Sequence, residues 1–145
     1  TELNYISNKG SMKAYEESGV VDRYQYLATL DSRTSDICRE LDGKIFELKE
    51  AKVGVNLPPL HPHCRSTTIP YFEDNEIADR VARKDDGAGK SYKLGKDITF
   101  FEWVEQYGSP EFKKRVQEQR KRFLDMDKKP RTKKKQDGEA DNKKE

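Results

Sequence analysis

The chain has 145 residues, 32% hydrophobic and 39% charged, enough for one domain of ordinary size and too few for two full ones. Its longest apolar run is three residues, Tyr26-Leu27-Ala28, which excludes a membrane-spanning helix. The net charge of +2 comes from the tail: residues 128–145 carry eight Lys/Arg against four Asp/Glu, leaving 21 basic and 23 acidic groups in the body, a balance that argues against a DNA-clamping core.

Residues 2–18 have a modest apolar stripe (Leu3, Ile6, Met12, Tyr15) and Gly19 at the stop position, which predicts a helix. The weakness of the stripe implies a packing partner upstream of Thr1, so the chain reads as a piece of a longer protein. From Arg23 to Leu30 the period changes to two, with Tyr24, Tyr26, Ala28 and Leu30 on one side, which predicts a strand. Asp31-Ser32-Arg33-Thr34-Ser35 is a turn cluster able to cap a short helix over Asp36–Leu41, ended by Asp42-Gly43. A second strand is expected over 44–48, a long Gly/Pro-rich loop over 49–65, and a third strand over 66–72, with Pro70 marking an edge.

A charged helix is expected near Asp74–Arg83, then a polar linker over Lys84–Lys90 and a brief strand at Ser91–Leu94. Thr99-Phe100-Phe101-Glu102 fits a capping box opening a helix through Tyr107. Ser109-Pro110-Glu111 opens another helix, whose stripe of Phe112, Val116 and Phe123 is thin. The segment after Asp127 is expected to be disordered. Together these predict an α+β fold: a small, mainly antiparallel sheet flanked by helices, with a long Pro-rich loop and a charged C-terminal tail.

Chemistry-bearing residues concentrate in two segments, 30–43 and 54–68. Both histidines and one of the two cysteines fall at His61, His63 and Cys64, and the other cysteine is Cys38. Cys38, His61, His63 and Cys64 are candidate zinc ligands, although C-x₂-C pairs are missing and neighbours such as His63 and Cys64 share a tetrahedral shell only if the loop turns sharply. Other readings stay open: a Cys38–Cys64 disulfide, or a buried Cys38 with His61 bonded to loop carbonyls. Two cysteines are too few for a disulfide scaffold, so a reducing compartment is the default. A nuclease-like site would use His61 as acid or base, with Arg33, Arg65 and Thr67 around a phosphorane. Gly87-Ala88-Gly89-Lys90-Ser91 lacks P-loop spacing. Folding the loop back is expected to join Asp31, Arg33, Asp42, His61 and Arg65 in one polar cluster that fixes the loop without chemistry. Lys113, Lys114, Arg115, Arg120, Lys121 and Arg122, with Lys133, Lys134 and Lys135, are candidates for non-specific phosphate contact.

The joint pattern resembles the Mu F-protein-like head-morphogenesis, or minor capsid, family of tailed bacteriophages. The resemblance rests on Thr1-Glu2-Leu3-Asn4-Tyr5, on Leu27 to Ser35 with Cys38, on Leu41-Asp42-Gly43-Lys44, and on Pro58-Pro59-Leu60-His61-Pro62 with Cys64-Arg65-Ser66-Thr67-Thr68. Gly89-Lys90-Ser91-Tyr92 and a short helix around Glu102-Trp103 extend it. It implies a family domain over 1–107 with its N-terminal part missing, followed by a basic helix over 108–127 and a tail over 128–145. The implied protein is a low-copy virion component near the portal that aids head assembly and DNA packaging or delivery. Its implied partners are portal and capsid proteins and, non-specifically, DNA; the resemblance implies no catalysis, no membrane and no obligatory cofactor. Family members often carry Asn at the position of His63 and further cysteines at Ser66 and Ser35. A four-cysteine site is therefore closed to this chain, and a metal would need His61 or His63.

Overall fold

The computed structural model describes residues 1–74, 79–84, 90–94 and 98–128. Helix α1 (Glu2–Ser18) ends where Gly19 takes the left-handed conformation, φ 66°, with its N–H bonded to the Glu16 carbonyl. Strand β1 (Arg23–Leu27) follows, and its alternation is strict: Tyr24 and Tyr26 are fully buried while Arg23, Gln25 and Leu27 are half-buried. It is shorter than the expected 23–30, because Leu30 leaves the ladder to form an isolated bridge with Ala82.

Helix α2 (Asp36–Leu41) and strand β2 (Ile45–Glu47) come next, then a single 3-10 turn over Leu48–Glu50. The Pro-rich loop runs on to β3 (Thr67–Tyr71) and includes a cis Pro58–Pro59 peptide. The sheet is antiparallel with order β2-β1-β3, so Pro70 does lie on an edge strand, where a missing N–H costs little.

The expectation of a helix near Asp74–Arg83 is corrected. Val81–Arg83 is a strand, β4, paired antiparallel with β5 (Ser91–Lys93). Ala82, with no exposed surface, turns inward between exposed Val81 and Arg83. Three residues are too few to display a period of two, so the charged surroundings gave a helical appearance. Most of the expected linker over Lys84–Lys90 lies outside the described residues, as does the tail beyond Lys128.

Helix α3 (Phe100–Tyr107) opens on the expected capping box: Thr99 Oγ1 accepts from the Glu102 N–H, and Glu102 accepts from the Thr99 N–H at 2.7 Å. Helix α4 (Pro110–Asp127) opens on Ser109 with Pro110 at its first position. The apolar interior has three parts. Leu30, Ala82, Leu94, Phe100, Trp103 and Val116 join β4, α3 and α4. Met12 of α1 packs with Tyr24 and Leu57. Between them, Tyr26 and Ala28 pack with the two cysteines. That middle part is where the chemistry-bearing residues gather.

Candidate functional site

The two segments singled out in the sequence meet. Cys38, on α2, and Cys64, at the end of the Pro-rich loop, are buried free thiols whose sulfurs lie 3.9 Å apart. The loop reaches this point through a tight turn in which the Cys64 N–H bonds the His61 carbonyl at 3.2 Å. His63 bears the conformational cost of that turn, with φ 60°. One hydrogen bond eases it: the His63 N–H donates to Thr1 Oγ1 at 2.9 Å. Asn4, one turn along α1, donates to the Ser66 carbonyl at 2.9 Å, so α1 clasps the loop from outside.

His61 turns its ring inward. Nδ1 lies 2.7 Å from the Pro62 carbonyl; a carbonyl only accepts, so Nδ1 carries the proton, and in the neutral ring Nε2 keeps its lone pair. Nε2 lies 3.2 Å from Cys38 Sγ and 2.8 Å from Ser35 Oγ. The Tyr26 hydroxyl donates to Cys38 Sγ at 3.3 Å. Sharing a hydrogen bond with Cys64 raises the Cys38 thiol, and burial raises it further; the same bond draws Cys64 well below the ordinary thiol range. Burial and the bond to Cys38 also hold the Tyr26 phenol protonated.

The five-membered polar cluster expected from the sequence divides into three separate assemblies. Asp31 and Arg65 form a two-point ion pair, with Arg65 Nη2 at 2.8 Å from Asp31 Oδ1 and Nη1 on Oδ2. Asp31 also accepts from Thr34 Oγ1 and from the backbone N–H of Arg33. Burial alone would raise the Asp31 carboxyl, but Arg65 and these donors outweigh it and hold the group below its usual range. Arg33 thus contributes its main chain to the assembly, while its side chain is exposed.

Asp42 belongs to a second assembly that sequence reasoning missed. Its fully buried carboxylate pairs with Arg80 at 2.7 and 2.9 Å and accepts the N–H groups of Ala28 and Phe100, each at 2.7 Å. Arg80 sits in the stretch read as a surface helix, and no local pattern marks it. Arg39 was missed too: it is buried, lies 5.0 Å from the Phe100 ring centre, and donates to Asp36, the Ser32 carbonyl and Gln119 of α4. His61, with Cys38, Cys64 and Ser35, is the third assembly. His63, named as a candidate ligand, is exposed, and its side chain is not among the groups that converge there.

A groove of about 510 Å³ opens beside His61 and is flanked by Arg33, His63, Arg65 and Arg83. This is a cationic surface suited to an oxyanion. The nuclease-like grouping is loosened by the same geometry, because His61 Nε2 faces inward and Arg65 is engaged by Asp31. On α4, Arg120 bonds Glu40 at 2.8 Å and Lys113 donates to the Glu105 carbonyl, so those two cations serve the fold. Lys114, Arg115, Lys121 and Arg122 are exposed, and Arg115 lies over the Phe112 ring. Lys133, Lys134 and Lys135 lie outside the described residues.

Residues 1–69, which carry α1, the three-stranded sheet and both site segments, match the family model described as Phage Mu protein F like protein. Over that stretch, a little under half of its length, the chain is similar to Mu F-like phage proteins. No curated protein and no solved structure matches it. Among the described residues, no helix is long and apolar enough to cross a membrane.

Proposed function

We propose that this protein is a low-copy minor capsid component that sits near the portal vertex and acts through contacts with portal and capsid proteins. The observation that carries the reading is the bracing of the Mu F-like segment: its loop, α1 and sheet are tied by hydrogen bonds and ion pairs within the chain, the Asp42–Arg80 pair among them buried, as in a part that must keep its shape. Large apolar side chains on and just after α1 face outward, with Leu3 84%, Ile6 64% and Val20 69% exposed, and suit a protein neighbour.

The same protein touches packaged DNA weakly, through the arginine-flanked groove and the outer face of α4. Such contact is sequence-independent and weakens with salt. In this reading the His61 and Arg65 constellation is architecture rather than catalysis. Mass spectrometry of purified virions tests it: peptides of this chain are expected at low stoichiometry, and the protein is expected to co-purify with portal protein from infected cells. Absence from mature virions and from portal complexes alike would overturn the reading.

A further inference from the structure

Three electron-pair donors converge on one point: Cys38 Sγ, Cys64 Sγ and His61 Nε2 lie within 4.8 Å of one another. A tetrahedral zinc ion with metal–sulfur bonds of about 2.3 Å and metal–nitrogen bonds of about 2.0 Å separates its ligands by roughly 3.5–3.8 Å. The measured separations, 3.9 Å between the sulfurs and 3.2 Å from Cys38 to His61, bracket that range. We propose that Cys38, Cys64 and His61 hold a zinc ion, with the Ser35 hydroxyl or one water in the fourth position.

Four features support this beyond distance. The proton on Nδ1 is tied to the Pro62 carbonyl, the arrangement that orients metal-bound histidines and leaves Nε2 for the ion. The Tyr26 hydroxyl supplies the corresponding outer partner to Cys38. A cavity of about 20 Å³ lies among Ser35, Cys38 and His61, enough for one small occupant. Last, the half-exposed imidazole turns its Nε2 lone pair away from solvent, toward the buried Cys38 sulfur and the Ser35 hydroxyl. Thiolate and imidazole donors favour zinc over magnesium or calcium.

Elemental analysis of the full chain, purified under reducing conditions and exposed to zinc, is expected to find about one zinc per chain. Cobalt in place of zinc is expected to give the intense visible bands of a tetrahedral site and a thiolate-to-cobalt charge-transfer band. His61→Gln, at a half-exposed position compatible with folding, is expected to weaken zinc by more than about a hundredfold, and Tyr26→Phe by about tenfold. Ser35→Cys should tighten it by completing the shell, and His63→Asn, which suits a left-handed turn, should leave it unchanged. The proposal is overturned if the wild-type chain takes up no more zinc than a Cys38→Ser/Cys64→Ser double variant. It is also overturned if His63→Asn loses as much as His61→Gln, or if the chain purified without zinc under reducing conditions still holds a Cys38–Cys64 disulfide that excludes the ion.

Discussion

Asp42 and Arg80, 38 residues apart, face each other across two hydrogen bonds, with Asp42 having no exposed side-chain surface and Arg80 only 8%. The pair joins the two halves of the molecule. Asp42 closes α2 and holds the end of β1 through the Ala28 N–H, while Arg80 leads into β4 and donates to the Ile98 and Ala28 carbonyls. Asp42 also accepts the Phe100 N–H, one of the unpaired amides at the start of α3.

Removing one member strands a buried charge. Asp42→Ala is expected to cost about 3–5 kcal/mol, a large share of the roughly 5–15 kcal/mol that holds such a domain together. An Asp42→Asn/Arg80→Met double variant should cost less than the sum of its two single variants. Urea denaturation of the four proteins in a double-mutant cycle measures the coupling.

The Asp31–Arg65 pair makes stability depend on acid. Because the folded state lowers the Asp31 pKa, the unfolded chain binds more protons between the two pKa values. The contribution is therefore complete above the ordinary carboxylate range and is lost as pH falls through the folded value. With Arg65 38% exposed, solvent screens the pair, and Asp31→Asn is expected to cost about 1–2 kcal/mol near neutrality. Thermal melts of the wild type and Asp31→Asn, compared from pH 7 down to pH 3, should converge as the acid limit is approached.

Arg33 and Arg65 look equivalent in the sequence but should not behave alike. Arg33→Ala keeps the N–H that bonds Asp31 and is expected to change stability by no more than about 0.5 kcal/mol. Arg65→Ala leaves the buried Asp31 carboxylate without its cation and should destabilise measurably more. Equal melting points for the two variants would contradict the assignment.

Arg39 docks α4. Its guanidinium lies over Phe100 and reaches Gln119 at 2.8 Å, a planar arrangement that a lysine cannot copy. Arg39→Lys is expected to lose about 1–3 kcal/mol and to speed amide hydrogen exchange in α4 more than in the three-stranded sheet.

The capping box allows a smaller, local test. Thr99→Ala should cost about 1 kcal/mol by removing the hydroxyl that accepts from the Glu102 N–H. The loss should appear chiefly as fraying at the start of α3, read by hydrogen exchange at Phe101 and Glu102.

Local rules reached the elements whose causes are local. Gly19 stopping α1, the alternation of Tyr24 and Tyr26, the caps at Thr99 and Ser109, and Pro70 on an edge are each set by residues within a few positions. The meeting of Cys38 with Cys64 could also be expected, since both segments are dense in chemistry-bearing residues. Arg80 and Arg39 were out of reach because their partners lie 38 and 80 residues away, and a buried arginine looks like any surface arginine until its partner is known. The grouping of Asp42 with Asp31 failed for the same reason: two carboxylates eleven positions apart give no sign of which cation each will meet.

The clasp between α1 and the loop has a mechanical consequence. Thr1 and Asn4 grip the loop near His63 and Ser66, while the other end of α1 passes through Gly19 into β1, the central strand. A pull on the first turn of α1 is therefore felt first at the cysteine–histidine corner, and the strand that carries Tyr26 anchors the opposite end. Tension along α1 would therefore load these joints together instead of opening them one at a time.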